Sequence, residues 1–143
     1  MKILLLFIIG ITALTRLSAE DQKINIVLEK QPIRGKIGET VKIYFEAVNK
    51  TTSTLVIRNI IRIHDDIQLN GVSIQDGNRV YSSYRSANWD SRKNNPMEDV
   101  YLKPQEKQRL YVPWTIRGDT TLKLGFGDLY NAADSNVEVR VSE

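Results

Sequence analysis

The sequence predicts an all-β protein, folded as a single antiparallel β-sandwich of about seven to nine strands. Apolar and polar residues alternate with a period of two along most of the chain after residue 19, which is typical of strands with one buried face. Residues that form turns separate these segments at short, regular intervals. No window of helical length after residue 19 carries an apolar stripe at helical spacing, so we expect at most one short helical turn.

The alternation identifies the expected strands and the side chains that they bury. It is most regular from Val41 to Ala47 and from Leu110 to Trp114, and the second segment predicts that Trp114 is a core residue. Gly125-Phe126-Gly127 has no following helix, so its glycines indicate a bulge or a close backbone approach, not a phosphate-binding loop. The other apolar positions are Ile24, Ile26 and Leu28; Leu55, Ile57, Ile61 and Ile63; Leu122 and Leu124; and Val137, Val139 and Val141.

Asn70-Gly71 is the strongest local turn signal. Both residues accept a positive φ, and a two-residue Asn-Gly loop is typical of a type I′ hairpin. Asp76-Gly77 is a competing turn, with flanks that match less well. In the Asn70-Gly71 hairpin the flanking apolar side chains would all share one face: Ile67, Leu69, Val72 and Ile74.

The amino-terminal segment has the features of an export signal. Lys2 precedes an apolar run over residues 3–14, which is too short to span a bilayer comfortably, and Ser18-Ala19 offers a cleavage point. We expect residues 1–19 to be a signal peptide and residues 20–143 to be the β-sandwich domain, secreted to the extracellular space, or to the periplasm if the source is bacterial. The alternative is an uncleaved membrane anchor. After cleavage we expect no membrane association.

Composition excludes several classes of site. The formal charge is +3, and the expected signal contains two of the basic residues and no acidic one, so basic character gives no argument for nucleic acid binding. The absence of cysteine excludes disulfides, thiolate metal sites and a cysteine nucleophile. His64 is the only histidine, and beside Asp65 and Asp66 it is interpreted as a strand end turning into solvent, because catalytic metal sites usually need three protein ligands. We therefore expect neither a metal nor a cofactor.

Four motifs occur in a suggestive order: Gly38-Glu39-Thr40-Val41, Phe45-Glu46-Ala47-Val48-Asn49, Leu102-Lys103-Pro104-Gln105-Glu106 and Leu110-Tyr111-Val112-Pro113. This order resembles the C-terminal immunoglobulin-like β-sandwich domains of animal transglutaminases, in which Gly-Glu and Leu-x-Pro-x-Glu turns start strands. The resemblance implies an immunoglobulin-like sandwich, extracellular life and a non-catalytic role. Transglutaminase chemistry needs a Cys-His-Asp triad on a separate core domain, and this chain has no cysteine.

The polar segment 85–96 departs from both the alternation and the family pattern. Loops of this length in compact domains are usually functional or mobile. Trp89 lies within it, and Tyr84, Arg85 and Arg92 are close in sequence, which gives the residue types that dominate binding hot spots. These four residues are the predicted binding site. The equally weighted alternative is that Trp89 folds back and plugs one end of the sandwich.

Asn49-Lys50-Thr51 is a sequon for N-glycosylation at a junction between a strand and a loop, where an exposed acceptor is expected. If the source is eukaryotic, Asn49 would carry a glycan.

Together these observations predict a secreted, non-catalytic interaction module with a protein or glycan partner, bound by loops at one end of the sandwich. One alternative is a carbohydrate-binding module, in which Trp89 and tyrosines would lie coplanar on one face. Another is a secreted hydrolase or an enzyme inhibitor. In the hydrolase, the single histidine would have to serve any serine triad.

The expected export signal gives a direct test. The mature chain should begin near Glu20 and stay in solution without detergent, because the apolar run is short and is followed by Arg16 and small residues. Amino-terminal sequencing of secreted material checks this, and material that still begins at Met1 would contradict it.

Overall fold

The computed structural model of the protein describes residues 23–29, 32–83 and 97–143. These residues confirm an all-β sandwich, with 12 strands instead of the expected 7–9. No helix that could cross a membrane occurs in these three ranges. The strands are β1 (Ile24–Leu28), β2 (Ile33–Gly35), β3 (Thr40–Val48), β4 (Leu55–Ile63), β5 (Asp66–Leu69), β6 (Ser73–Asp76), β7 (Arg79–Ser82), β8 (Glu98–Leu102), β9 (Lys107–Thr115), β10 (Thr120–Gly125), β11 (Tyr130–Ala132) and β12 (Asn136–Val141).

The strands form a 7-stranded sheet in the order β11-β1-β3-β9-β5-β4-β8 and a 5-stranded sheet in the order β2-β12-β10-β6-β7. Most neighbours are antiparallel, but β1 with β11, β2 with β12 and β5 with β9 run parallel. Both sheets are therefore mixed, which corrects the expectation of a purely antiparallel sandwich. Alternation within a strand reports its buried face and carries no information about the direction of its neighbour.

One apolar core lies between the sheets and contains the inward positions that the alternation predicts for β3, β9, β10 and β12. Phe45 and Leu110, which face each other across β3 and β9, are wholly buried. Phe126 packs edge-on against Phe45, with the ring centroids 5.0 Å apart. A Cβ atom at position 125 would collide with the Ser73 hydroxyl of β6, so glycine leaves room for a neighbouring side chain there, whereas a Cβ at Gly127 would meet no atom within 4 Å.

A bulge in β4 changes the faces that the alternation predicts for this strand. The pairing of β4 with β8 shifts between Ile57 and Ile60, and Asn59 has a φ of 61°. The extra residue places Ile60 in the core opposite Leu69 and turns Ile61 to the outer face opposite Gln68. The expectation that Ile57 and Ile61 share a face is therefore wrong, but both are fully buried, as the alternation predicts.

The Asn70-Gly71 turn connects the two sheets and is not a hairpin. β5 before it belongs to the larger sheet and β6 after it belongs to the smaller one. Gly71 has the expected positive φ, 82°, whereas Asn70 does not, so a type I′ turn is excluded. The apolar residues on either side of the turn enter the same core from opposite sheets. A hairpin with one buried face would place apolar residues at the same positions in the sequence, so the sequence pattern fits both structures.

The competing position at Asp76-Gly77 forms the hairpin. β6 and β7 pair with Asp76 opposite Arg79, which leaves Gly77 and Asn78 as a two-residue loop. Gly77 has a φ of 59° at the first loop position, where type II′ turns favour glycine.

β3 and β9 form the longest ladder of the described structure, nine residues paired from Thr40 opposite Thr115 to Val48 opposite Lys107. A turn of the same kind precedes each strand. In residues 36–39 the Glu39 carboxylate accepts a hydrogen bond from the Lys36 backbone N–H at 2.8 Å, and in residues 103–106 Glu106 does the same for Lys103 at 2.6 Å. The third residue of each turn has a positive φ, as type II turns require: Gly38 at 88° and Gln105 at 66°.

Each of these turns also fastens the end of the other strand. The Gly38 N–H donates to the carbonyl of Ile116, just after β9, and the Gln105 N–H donates to the carbonyl of Asn49, just after β3. The ladder is therefore closed at both ends by the turn that starts its partner. These bonds give the Gly-Glu and Lys-Pro-x-Glu motifs of the sequence a structural role.

Pro113 lies within β9 without breaking this ladder. The Ile116 N–H donates to Glu39, so alternate β9 residues from 106 to 116 bond β3, and the intervening residue 113 directs its backbone away from β3, toward β5. β5 is registered with β9 only at Gln68 opposite Tyr111. Proline, which has no N–H, therefore occupies a position where no described strand needs a donor.

Gly38 tests the importance of the first turn. A Cβ at Gly38 would meet no atom within 4 Å, so Gly38→Ala introduces backbone strain alone and should lower the free energy of unfolding by about 1 kcal/mol. Gly118→Ala is the matched control, because it has equal room and no positive φ. Chemical denaturation of both variants checks this, and equal effects would contradict the assigned strain.

Candidate functional site

A groove opens beside the end of β9, where three elements meet. It has a volume of about 330 Å³ and lies between edge strand β7, the start of β3 and residues 113–117. We call it the Trp114 groove. Among the described residues that line it, Arg117 is the only one with a charged side chain.

Trp114 provides one wall of this groove. The alternation of β9 turns its ring inward, and it is 4% exposed, which confirms the predicted core position. The Tyr81 ring meets it edge-on, with the centroids 5.3 Å apart. The Trp114 ring is therefore fixed by the core on one side and lines the groove on the other.

Arg117 covers both rings. Its guanidinium carbon lies 4.5 Å from the Tyr81 ring centroid and 5.0 Å from the Trp114 ring centroid. Contacts of this kind contribute about 0.5–1 kcal/mol at exposed sites. Within the described structure Arg117 forms no ion pair, so its charge is held in place by aromatic faces and is not neutralised by a carboxylate.

The Trp114 indole N–H is buried and has no hydrogen-bond partner among the described residues. An unsatisfied buried donor costs about 1–3 kcal/mol, so most are paired in folded proteins. Thr40 and Thr115, which also line the groove, use their hydroxyls on each other at 3.0 Å. The groove thus presents an exposed arginine whose guanidinium lies on two aromatic rings, while the indole N–H of Trp114 is buried.

The predicted binding residues Tyr84, Arg85, Trp89 and Arg92 lie outside the described residues. The described ranges end at Ser83 and resume at Met97, so the segment that contains them joins β7 to β8. β7, which carries Tyr81, ends at Ser82, three residues before the predicted loop begins in the sequence. Sequence reasoning missed Arg117. The available signal was its place three residues after an inward-facing tryptophan, just beyond a strand end.

Asn49 is wholly buried, which corrects the expectation of an exposed glycan acceptor. Its Nδ2 atom donates to the carbonyls of Ser53 at 2.7 Å and Leu102 at 2.8 Å. Its Oδ1 atom accepts from the backbone N–H of Thr51 at 2.9 Å and from the Thr51 hydroxyl at 2.7 Å. The sequon threonine therefore serves a structural turn, and the amide has neither a free hydrogen nor the space for a sugar.

His64 and Asp65 form the exposed two-residue turn between β4 and β5, as the sequence predicts. The chain passes through it with a φ of 56° at His64. No group of three potential ligands among histidine, cysteine, aspartate and glutamate comes together in the described ranges. Asp66 points to a different set of partners on the outer face of the larger sheet.

The outer face of the larger sheet carries a network of paired charges. The Lys42 ammonium donates to the Asp66 carboxylate at 2.6 Å, and the Tyr44 hydroxyl donates to the same oxygen at 3.0 Å. Arg109 donates to Glu29 at 2.9 Å and stacks on the Tyr44 ring at 3.6 Å. Unlike Arg117, these cations already have carboxylate partners, so the face has less unmatched charge to offer a ligand.

The network perturbs the titration of its members. The hydrogen bond from Lys42, and then that from Tyr44, lowers the pKa of Asp66 below its ordinary value. The same bond to Asp66 raises the pKa of Lys42, and burial followed by the Asp66 hydrogen bond raises the pKa of Tyr44. The charged forms of Lys42 and Asp66 are therefore favoured together.

Comparisons with known proteins do not identify a family for this chain. No family model and no curated protein matches this chain. Among solved structures, it is similar to part of a β-glucosidase from Listeria innocua in complex with gluconolactone, with a TM-score of 0.44 and 14% sequence identity. The match covers 82% of this chain and 16% of the glucosidase, so this chain spans a small part of the length of that protein. A similarity of this degree does not identify a function.

The Asp66 carboxylate makes the free energy of unfolding depend on pH. Because its folded pKa is depressed, its contribution is complete above the unfolded value of about 3.9 and is lost as the pH falls through the lower folded value. Asp66→Asn should therefore flatten the fall of unfolding free energy below about pH 4. Denaturation curves over the acid range check this. Asp65→Asn, in the adjacent turn, is the control, and equally flattened profiles would contradict the assignment to Asp66.

Proposed function

We propose that this chain is an exported, non-catalytic interaction module, which binds a protein partner at the Trp114 groove. The observation that carries the proposal is the stack of Arg117 on Tyr81 and Trp114 beside edge strand β7. Tryptophan, tyrosine and arginine are the residues most enriched among interface hot spots, particularly where their rings are held in place by surrounding structure. The export signal and the resemblance to immunoglobulin-like domains agree with this role.

A carbohydrate-binding module is less well supported. Flat sugar rings would be expected to stack on coplanar aromatic side chains. The described aromatic pairs are tilted or edge-on, with interplanar angles of 56° for Tyr44–Tyr111 and 78° for Tyr81–Trp114. A protein partner remains the better match for a groove whose aromatic walls meet at a steep angle.

A secreted hydrolase is also less well supported. The single histidine, His64, lies in an exposed turn, and no hydrogen bond or ion pair joins it to another residue of the described ranges. A serine triad needs the histidine to be held between its two partners. The related alternative, an inhibitor of an enzyme, is a case of the proposed function in which the partner is itself an enzyme.

Affinity capture with matched variants tests the proposal. The mature chain, Arg117→Ala and Arg34→Ala would each be immobilised and exposed to the native extracellular fluid. Arg34 is exposed on β2, at the edge of the smaller sheet opposite β7, and does not line the groove, so its substitution removes an equal charge without changing that lining. We expect one protein to be retained by the mature chain and by Arg34→Ala, and to be reduced about tenfold or more with Arg117→Ala. Retention that is unaffected by Arg117→Ala would contradict the location of the site.

A further inference from the structure

We infer that Asn70 is a site of spontaneous covalent modification, at which the Gly71 backbone nitrogen closes a succinimide ring on the Asn70 side chain and expels ammonia. Water then opens the ring to aspartate or isoaspartate at position 70. The inference does not depend on the proposed function. Three features of the connection between β5 and β6 carry it: a free nucleophile, a polarised carbonyl and a leaving group that makes no hydrogen bond.

The attacking atom is the Gly71 backbone nitrogen, and nothing in the described structure engages it. Gly71 is exposed, and its N–H has no hydrogen-bond partner among the described residues. It lies between β5 and β6 and outside both strands, so no ladder uses this N–H. Glycine also has no Cβ to obstruct the approach of its nitrogen to the preceding side chain. Solvent base can therefore reach the proton that must leave this nitrogen.

The carbonyl under attack is held and polarised by Gln68. The Gln68 Nε2 atom donates to Asn70 Oδ1 at 3.0 Å, and the two side chains are buried, with 3% and 5% of their residues exposed. Ring closure moves negative charge onto this oxygen. A fixed donor in a buried site stabilises such charge much more than a donor in water does. The Gln68 amide is therefore a preformed oxyanion donor.

The leaving group is the amide nitrogen of Asn70. Nδ2 is buried and has no hydrogen-bond partner, so its departure breaks no hydrogen bond and removes a donor that is unfavourable where it lies. Asn49, which is also buried, is the contrast, because its Nδ2 donates to the carbonyls of Ser53 and Leu102. The Asn70 amide is thus the buried amide that the fold holds less firmly.

Burial of this amide does not prevent the reaction, because the nucleophile belongs to the next residue and needs no entry path. The bond between Gly71 N and Asn70 Cγ forms as the Cγ–Nδ2 bond breaks, and the proton from Gly71 passes through solvent to Nδ2, which leaves as ammonia. Water then adds to one of the two ring carbonyls. Addition at Cγ gives aspartate, and addition at the backbone carbonyl gives isoaspartate, in which the chain runs through Cβ and Cγ.

Either product changes the junction between the two sheets. A carboxyl group replaces the neutral amide beside Gln68, and a buried carboxylate without a cationic partner is unfavourable. Isoaspartate also lengthens the backbone between β5 and β6, beside the hydrogen bond from the Asn70 N–H to the carbonyl of Asn59. Modified chains should therefore unfold at lower denaturant concentration than unmodified ones.

Peptide mapping by mass spectrometry tests the inference on the folded mature chain, incubated in buffer at physiological temperature. We expect aspartate and isoaspartate to accumulate together at position 70. Direct hydrolysis of a side-chain amide gives aspartate alone, so isoaspartate is the signature of the ring. A free peptide of residues 66–75, incubated in parallel, shows that the assay detects the product.

Two glutamine variants test the role of Gln68. Gln68→Met removes the donor with little change in volume and should slow the formation of isoaspartate about tenfold. Gln75→Met is the matched control, because Gln75 is exposed on β6 and donates to the carbonyl of Gly77, not to Asn70. We expect it to leave the rate unchanged. Gln68→Glu, which keeps the shape of the side chain and replaces the donor by an acceptor, serves if Gln68→Met does not fold.

Three results would overturn the inference. Unmodified Asn70 in the folded chain, after the free peptide has been converted, would exclude the site. Aspartate at position 70 without isoaspartate would exclude the ring. Equal rates in the Gln68 and Gln75 variants would exclude the assigned role of the Gln68 donor.

Discussion

The nine-residue ladder between β3 and β9 is the interaction on which the rest of the structure depends. It lies near the middle of the larger sheet and places Phe45 and Leu110 opposite each other at the centre of the core. Each of its ends is closed by a type II turn that belongs to the partner strand, so neither strand can slip without breaking backbone hydrogen bonds at both ends. A chain without disulfides thus fixes its central register with glutamate side chains and two left-handed residues.

The groove is a consequence of how this ladder ends. The β3–β9 register places Thr40 and Thr115 at the same end of the ladder, Trp114 turns inward just before it, and the chain leaves toward Arg117 immediately after. Among the described residues no strand pairs with Pro113, which leaves that end of β9 without a neighbouring strand there. Within the described ranges Arg117 has no carboxylate partner and extends over aromatic rings, whereas the cations on the outer face stand next to carboxylates. Unmatched charge at a fixed position favours recognition over stability.

Much of the fold was predictable from the sequence, because a period of two reports directly which side chains a strand buries. Three features were not. A mirrored apolar pattern around Asn70-Gly71 fits both a hairpin and a connection between sheets, since both bury the same residues. The bulge at Asn59 reverses the face of Ile61, and no glycine or proline in this part of the sequence indicates a bulge. Arg117 joins Tyr81 only through the packing of two sheets, and no local pattern reports a contact between residues so distant in sequence.

Because Asn49 is buried in the folded chain, folding and glycan transfer would compete for the same side-chain amide in any eukaryotic secretory pathway. The transferase meets the Asn49-Lys50-Thr51 sequon on the nascent chain, before the amide has been enclosed. A sugar on Nδ2 would remove the donors that hold the carbonyls of Ser53 and Leu102, so a modified chain cannot close this junction. The yield of native protein then depends on the rate at which β3 and β9 pair relative to the rate of modification. A host without this transferase avoids the competition altogether.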